Sequence, residues 1–319
     1  MNTAQNSDKP KVKLIEISEE NSGQRLDNFL ITQLKGVPKT RIYRIIRKGE
    51  VRVNKGRIDN RYRLKEGDVV RIPPVRVAIR NDDIVLQPTL KYSLENGIIY
   101  EDDVLVVLNK PSGFAVHGGS GISSGVIEGL RAIRPEARFL ELAHRIDKAT
   151  SGCLLVAKKR SALKILHDLF RDNRVKKTYI ALLAGQWEKK KMLVTAPLLR
   201  STGKGGERMV KVNQMGKFAE TSFRRIQQYK GMTLVEASPK TGRTHQIRVH
   251  AAWLGHPIVG DERYGVAETN IELKGKGFKR LFLHAEQLKF AHPVTNEMMN
   301  FKAPLPEELQ SLLKKTGYI

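Results

Sequence analysis

In the segment ELAHRIDKATSGCLLVAKK, residues 141–159, Asp147 stands beside Arg145 and Lys148 and just ahead of the small residues Ala149 to Gly152. A carboxylate held ionised can act as a nucleophile or as a general base, and small neighbours let a substrate approach it. Apolar and small residues on both sides read as strands, and charges inside a core-seeking segment cost stability unless they are paired. Taken alone, the segment reads first as a solvated turn, because Asp, Lys, Thr, Ser and Gly all suit turns. A site there requires a cation. Closing a substrate over the carboxylate strips water from the anion, and a positive partner at roughly 4 Å in an effective dielectric near 20 returns about 4 kcal/mol. Arg145, Lys148, Arg243 and Arg248 are all candidates, and spacing does not choose among them.

Four further polar clusters interrupt the same part of the chain: NKPSGFAVHGG, KKTY, KTGRTHQIRVH and GHPIVGDERYG. Each falls where a strand or helix ends, the usual place for a site. Asp261 and Glu262, in the last cluster, sit in a loop with an expected structural role. Other chemistries lack their signatures. There is no G-x-x-x-x-G-K-[ST] for a P-loop and no G-x-S-x-G for a hydrolase. GGSGISSG has glycines without the G-x-G-x-x-G spacing, follows no strong strand, and reads as a flexible loop. His245 and His250 are five apart, not the four that puts two zinc ligands on one helical face. No glycine-rich cofactor loop after a strand supports a methyltransferase. The single cysteine, Cys153, excludes an internal disulfide and a multi-cysteine zinc site, and its apolar strand makes it a buried, inert thiol.

The elements that must position these clusters follow from the pattern. QRLDNFLITQLKG sets Leu26, Phe29, Leu30 and Leu34 at helical spacing, with Gly36 as a stop. PKTRIYRIIRKG is a second helix, opened by Pro38 and closed by Gly49. Ile42, Ile45 and Ile46 form one of its faces; Arg41, Arg44 and Lys48 share the opposite one. VRVNKGR and EGDVVRIP read as short strands with turns. Residues 24–80 hold sixteen Lys and Arg against five Asp and Glu, close to half of the chain's net charge of +24. Two short helices and a basic hairpin of this charge density form an RNA-binding surface rather than a merely solvated face.

PPVRVAIRNDDIVLQPTL then reads as a linker. Beyond it, GIIYEDDVLVVLNKPSG is two strands around an acidic turn, and SSGVIEGLRAIRP is helical. SALKILHDLFRDNRV is a further helix with Ser161 as its N-cap. KKTYIALLAGQW and MTLVEASPKTG are strands, RTHQIRVHAAWLG is a helix closed by Gly255, and PLPEELQSLLKKTG is a C-terminal helix. Strands outnumber helices without a βαβ alternation, which makes this unit α+β with a mostly antiparallel sheet.

A length of 319 residues favours two domains. The excess of Lys and Arg, with a pI near 10.1, calls for a polyanionic partner, and in the cytoplasm that is nucleic acid. The longest apolar run, YIALLA, is far short of the roughly 20 residues of a membrane span. MNTAQNSDKPKVK has no signal-like apolar stretch, and no long amphipathic segment carries a Trp- or Phe-rich face. A cytoplasmic protein with no membrane partner is expected.

NKPSG, HRIDKATSG, GRTHQIRVH and GHPIVGDERYG resemble, in order, the motifs of the RluA-type pseudouridine synthases, over roughly residues 93–310. The basic unit resembles the small RNA-binding module of ribosomal protein S-four. The resemblance implies an α+β architecture in four parts: a flexible N-terminus, 1–19; an S-four-like RNA-binding module of two helices and short strands, 20–80; a linker, 81–92; and a catalytic domain, 93–319. That last part should hold a mixed, mostly antiparallel central sheet with flanking helices. The implied reaction converts specific uridines of large-subunit (23S) ribosomal RNA to pseudouridine with no cofactor and no metal. The N-glycosidic bond is broken, the base turns in the pocket, and C5 is joined to C1′.

Residue by residue, Asp147 corresponds to the family's essential carboxylate, which attacks C1′ or abstracts the 2′ proton. Tyr179, after the basic pair of KKTY, corresponds to a tyrosine whose ring stacks on the uracil and whose hydroxyl helps remove the C5 proton. Arg248 corresponds to the arginine paired with the carboxylate, which selects one cation from the four. Arg145 corresponds to the residue that enters the space of the flipped-out nucleotide. Arg41, Arg44 and Lys48 are expected to bind RNA. The implied partner is 23S ribosomal RNA or a large-subunit assembly particle, and the chain is expected to act as a monomer. Two positions depart from the family's pattern. Ile146 replaces the commoner Leu, and FAVHGG varies the usual Pro-containing loop around His117, so the contacts of that loop are not implied. Two competing readings are a non-catalytic ribosome-assembly factor of the same fold and a methyltransferase joined to the basic module.

Overall fold

The computed structural model describes residues 11–34, 36–75, 86–118, 125–202 and 208–317. The chain divides into two compact units, 1–83 and 84–319. In the first, strand β1 (Lys13–Glu16) precedes helices α1 (Leu26–Gln33) and α2 (Lys39–Arg47), followed by β2 (Arg52–Val53) and β3 (Val69–Ile72). β3 lies between β1 and β2 in an antiparallel sheet. The helically spaced Leu26, Phe29, Leu30, Ile42, Ile45 and Ile46 close over Val70 and Ile72 of that sheet in one core. Arg41, Arg44 and Lys48 remain exposed on the far face of α2. Asn54 and Lys55, at φ 50° and 68°, make the sharp reversal that the Asn-Lys-Gly sequence announces.

Residues 1–19 are therefore not all a flexible tail. Residues 1–10 lie outside the described residues, but β1 covers an edge of β3 that would otherwise be left unpaired. Ile15 and Ile17, two apart, turn toward the core. The expected linker, 81–92, likewise includes residues that are structured, 88–92. Residues 76–85 lie outside the described residues, and α3 (Pro88–Asn96) follows, with Leu90 and Leu94 buried in the core of the second unit. Leu86, Leu90 and Leu94 recur every four residues, the spacing of one helical face.

The second unit continues with β4 (Ile98–Glu101), β5 (Leu105–Lys110), α4 (Val126–Ala132), β6 (Glu141–Leu142) and β7 (Ser151–Ala157). Helix α5 (Arg160–Arg171) leads to β8 (Lys176–Ala184), β9 (Lys191–Thr195), β10 (Leu198–Thr202) and β11 (Arg208–Val212). Next come β12 (Glu220–Tyr229), β13 (Met232–Pro239), α6 (Gln246–Trp253) and α7 (Ala267–Gly275). The chain closes with β14 (Leu283–Ala291), β15 (Met298–Lys302) and α8 (Glu307–Thr316). The main sheet runs β4-β5-β7-β14-β8-β13-β12-β9, with β15 beside β14 and β6 beside β7. Among its described pairings only β7 with β14 is parallel, so the sheet is mixed and mostly antiparallel, as the strand-rich pattern implies. β10 and β11 form a separate hairpin.

Every residue of β7 is buried. Cys153, Leu155 and Ala157 face one apolar cluster and Leu154 and Val156 the other, which is why this strand reads as an unbroken apolar run. Burial pushes the Cys153 thiol up to about 11, so it stays protonated and inert. Gly152, at φ 110°, lets β14 approach: a Cβ there would collide with the carbonyl oxygen of Ala285.

Two local expectations are corrected. Ser161 is not the N-cap of α5; the helix begins at Arg160 with Lys159 in the cap position, which places Ser161 inside the first turn. RTHQIRVHAAWLG is helical only from Gln246, because His245 takes a left-handed backbone, while Gly255, at φ 81°, follows the helix as anticipated. Residues 119–124, most of the GGSGISSG loop, lie outside the described residues. Among the described residues no helix is long and apolar enough to cross a membrane.

Candidate active site

Asp147 lies in the loop that joins β6 to the wholly buried β7, so both ends of the loop are fixed to the sheet. A second loop, the NKPSG segment after β5, clasps it. Gly113 N–H donates to the Lys148 carbonyl at 2.9 Å, and Ser112 Oγ donates to the Ala149 carbonyl at 2.7 Å. Lys110 is 1% exposed, and its ammonium donates to the carbonyls of Pro111, Phe114 and Lys148 at 2.7, 2.9 and 3.2 Å. Burial, assisted by the Arg280 charge and opposed by Asp147, brings this lysine down to about 7. A buried ammonium costs less when carbonyl oxygens replace its water, and here they tie the two loops together.

Helix α6 brings Arg248 to the same point. Its Nη1 lies 3.4 Å from Asp147 Oδ2, while Nε and Nη2 donate to the two oxygens of Asp261 at 2.7 and 2.8 Å. The fork-to-fork pair with Asp261 is the tight one, and Asp147 takes the remaining, longer contact. Burial works against the Arg248 charge, but the Asp261 and Asp147 carboxylates outweigh it and hold the guanidinium above its ordinary value. Burial works against Asp261 too; the hydrogen bonds from Arg248 and from the Arg263 and Tyr264 N–H groups outweigh it and hold the carboxyl below the usual range. The Arg248 guanidinium also lies over the Tyr264 ring, 5.1 Å from its centroid.

These groups face a cleft of about 940 Å³. Its walls include Asp147, Tyr179 from β8, and seven cations: Arg145, Arg171, Lys177, Arg200, Lys217, Arg243 and Arg248. Among the described residues that line it, Asp147 is the only acid. Burial, reinforced by the Asp147 charge, pushes the Tyr179 phenol well above its ordinary value, so it is protonated at neutral pH. Arg145 is exposed at the cleft. Asp147, Tyr179, Arg145 and Arg248 are thus assembled at one place, whereas Arg41, Arg44 and Lys48 belong to the other unit. Lys110, His245 and Tyr264 escape a reading of the sequence as site residues. Their signals, NKP, RTHQ and ERYG, are visible, but what each side chain touches is set by packing.

The RNA pseudouridylate synthase family model matches residues 104–253, and the S4 domain model matches residues 24–70. The Ribosomal large subunit pseudouridine synthase C of Yersinia pestis is 58% identical over 305 residues, 95% of each chain. This chain belongs to the RNA pseudouridylate synthase family. The corresponding synthase of Haemophilus influenzae is 55% identical over 305 residues, again 95% of both chains. Among solved structures, Human RNA Pseudouridylate Synthase Domain Containing 4 matches with a TM-score of 0.59 at 28% identity, covering 72% of this synthase and 95% of that chain. The motif-based family reading and the α+β fold it implies therefore hold, and the basic N-terminal unit is an S4 domain.

Proposed function

We propose that this synthase isomerises uridines of large-subunit (23S) ribosomal RNA, with Asp147 as the catalytic carboxylate. The observation that carries the reading is that, among the described residues, a single acid is set among seven cations in one cleft, within a family whose close relatives are named for the large ribosomal subunit. The cations draw the phosphates of a nucleotide in, and the lone anion is left for the sugar. Both routes open to it use the same charge: direct attack on C1′, or removal of the 2′ proton. Arg248 neutralises it in part, and because Asp261 fixes the guanidinium, Arg248 cannot swing away when substrate enters. Tyr179 offers its ring to the uracil. Since its phenol stays protonated near pH 7, it is not a standing base for the C5 proton, and any help its hydroxyl gives there requires that its own proton be passed on. Arg145, exposed at the cleft, is suited to the space vacated by a flipped nucleotide. We read the protein as a cytoplasmic monomer acting on 23S ribosomal RNA or on a large-subunit assembly particle.

Mapping pseudouridine in ribosomal RNA from cells with and without this protein tests the reading. Specific large-subunit pseudouridines should vanish and return on re-expression of the parent chain. An unchanged map would leave the non-catalytic assembly factor as the better account.

The RNA-binding role of α2 has its own test. Its cationic face is exposed, and each phosphate neutralised contributes roughly −0.7 to −0.9 to the slope of log affinity against log salt. Replacing Arg41, Arg44 and Lys48 together by Ala should flatten that slope by about 2 and leave single-turnover conversion at saturating enzyme intact. An unchanged slope, measured by filter binding across a salt series, would remove these residues from the interface.

A further inference from the structure

We infer that Tyr264 is a positioning residue whose hydroxyl fixes His245 in the tautomer protonated at Nε2, turning an N–H toward Asp147. The consequence for catalysis rests on the reading of Asp147 given above; the geometry does not. His245 sits in the cap position of α6 at φ 54°, ψ 21°, a left-handed conformation uncommon outside glycine, although histidine adopts it more readily than most residues. Its Nδ1 lies 2.9 Å from the Tyr264 hydroxyl, and its Nε2 lies 3.9 Å from Asp147 Oδ2. The hydroxyl accepts the N–H of Val210 at 3.2 Å. Among the described residues its own proton has no acceptor other than Nδ1, which favours donation to that nitrogen. A neutral imidazole that accepts at one nitrogen carries its proton on the other.

Burial holds His245 below the ordinary histidine value, with Arg248 and Arg263 adding to the effect and Asp147 opposing it. The ring is therefore neutral near pH 7, and its tautomer decides what Asp147 meets. At 3.9 Å the N–H is not yet a hydrogen-bond donor to Asp147; catalytic hydrogen bonds are commonly long without substrate and tighten when it binds. The Tyr264 ring has a further task, since the Arg248 guanidinium lies over it and the His245 ring meets it edge-on at 5.6 Å. One side chain thus orients both groups that reach Oδ2. Among the described residues Oδ1 has no hydrogen-bond partner, which leaves it for the sugar.

Nitrogen NMR of the full-length protein labelled with 15N-histidine tests this, with the His245 signal identified by its loss in His245→Gln. The wild type should show an unprotonated Nδ1 and a protonated Nε2. Tyr264→Phe keeps the ring beneath Arg248 and removes only the hydroxyl. It should give a mixture of tautomers and slow single turnover by about tenfold, the size of one lost hydrogen bond, without weakening RNA binding. His245→Asn suits the left-handed backbone but has no N–H at the Nε2 position, whereas His245→Gln can place one there. The glutamine variant should therefore retain more activity than the asparagine variant. A proton on Nδ1 in the wild type, an unaltered tautomer and rate in Tyr264→Phe, or equal losses in the two His245 variants would each overturn the inference. The tautomer is read without turnover, so these results are separable from the role of Asp147. An Nε2–H tautomer together with an active Asp147→Asn would overturn the catalytic consequence and, with it, the proposed reading of Asp147.

Discussion

Asp147→Asn is expected to fold, to bind ribosomal RNA at least as tightly as the parent, and to form no pseudouridine above background. Asparagine keeps the shape of the side chain and removes its charge. The fold does not depend on that charge, because Arg248 is already held by two short hydrogen bonds to Asp261 and only one contact of 3.4 Å to Asp147 is altered. Binding should not fall, since the substitution removes the only acid among the described residues lining a cleft with seven cations. Chemistry should fall completely, because among the described residues no second carboxylate lines the cleft to replace it. Single-turnover assays with enzyme in excess isolate the chemical step. Conversion above about a hundredth of the parent rate corresponds to a loss below about 2.7 kcal/mol. That is too little for the removal of an essential nucleophile or base, and the assignment would be wrong.

The second large effect is on stability and rate together. Arg248→Met leaves the Asp261 carboxylate, whose side chain is 0% exposed, without its ion-pair partner. Breaking a buried pair from one side costs about 3–5 kcal/mol, and urea unfolding at pH 7 should register a loss of that order. Conversion should fall as well, since Asp147 loses its guanidinium. Adding Asp261→Asn removes the stranded charge while an amide oxygen can still accept the Arg263 and Tyr264 N–H groups. The double variant should regain much of the stability and none of the activity. Acid gives an independent handle. The Asp261 carboxyl is held below its unfolded value, so its contribution is complete above about pH 4 to 5 and is lost as pH falls through the folded value. The stability gap between the parent and Arg248→Met should therefore narrow on acidification. A gap that stays constant with pH, or a double variant that regains conversion, would break this account.

What the sequence makes legible here is whatever depends on local periodicity. The apolar face of α2, the run of β7 and the polar interruption at Asp147 are readable because side-chain direction repeats every 3.6 or every two residues. The same logic was available for KLIEI and for Leu86, Leu90 and Leu94, where short alternations lie next to polar segments and are easily read as tail and linker. Pairings at long range are another matter. Asp147 and Arg248 are separated by 101 positions, and only resemblance to a family, not spacing, chose Arg248 from four cations. Nothing local says that Asp261 holds the same guanidinium more tightly, or that Lys110 spends its three donors on two loops. The left-handed backbone at His245 falls at the junction of loop and helix, and histidine's modest tolerance of that region is too weak a signal to place it from the sequence.

The distribution of charge in the cleft also constrains the end of the catalytic cycle. Isomerising uridine changes neither the phosphates nor the net charge of the RNA, so the cations that line the cleft among the described residues should attract the modified strand as strongly as the unmodified one. They cannot be what tells product from substrate. With Asp147 in its proposed role, the protein's own preference for releasing the finished RNA would arise at the nucleotide beside that carboxylate, where the bond to the sugar has moved from nitrogen to carbon. The surface that makes the enzyme efficient at capture thereby makes it a retentive partner, and departure becomes a property of the RNA's own refolding as much as of the protein.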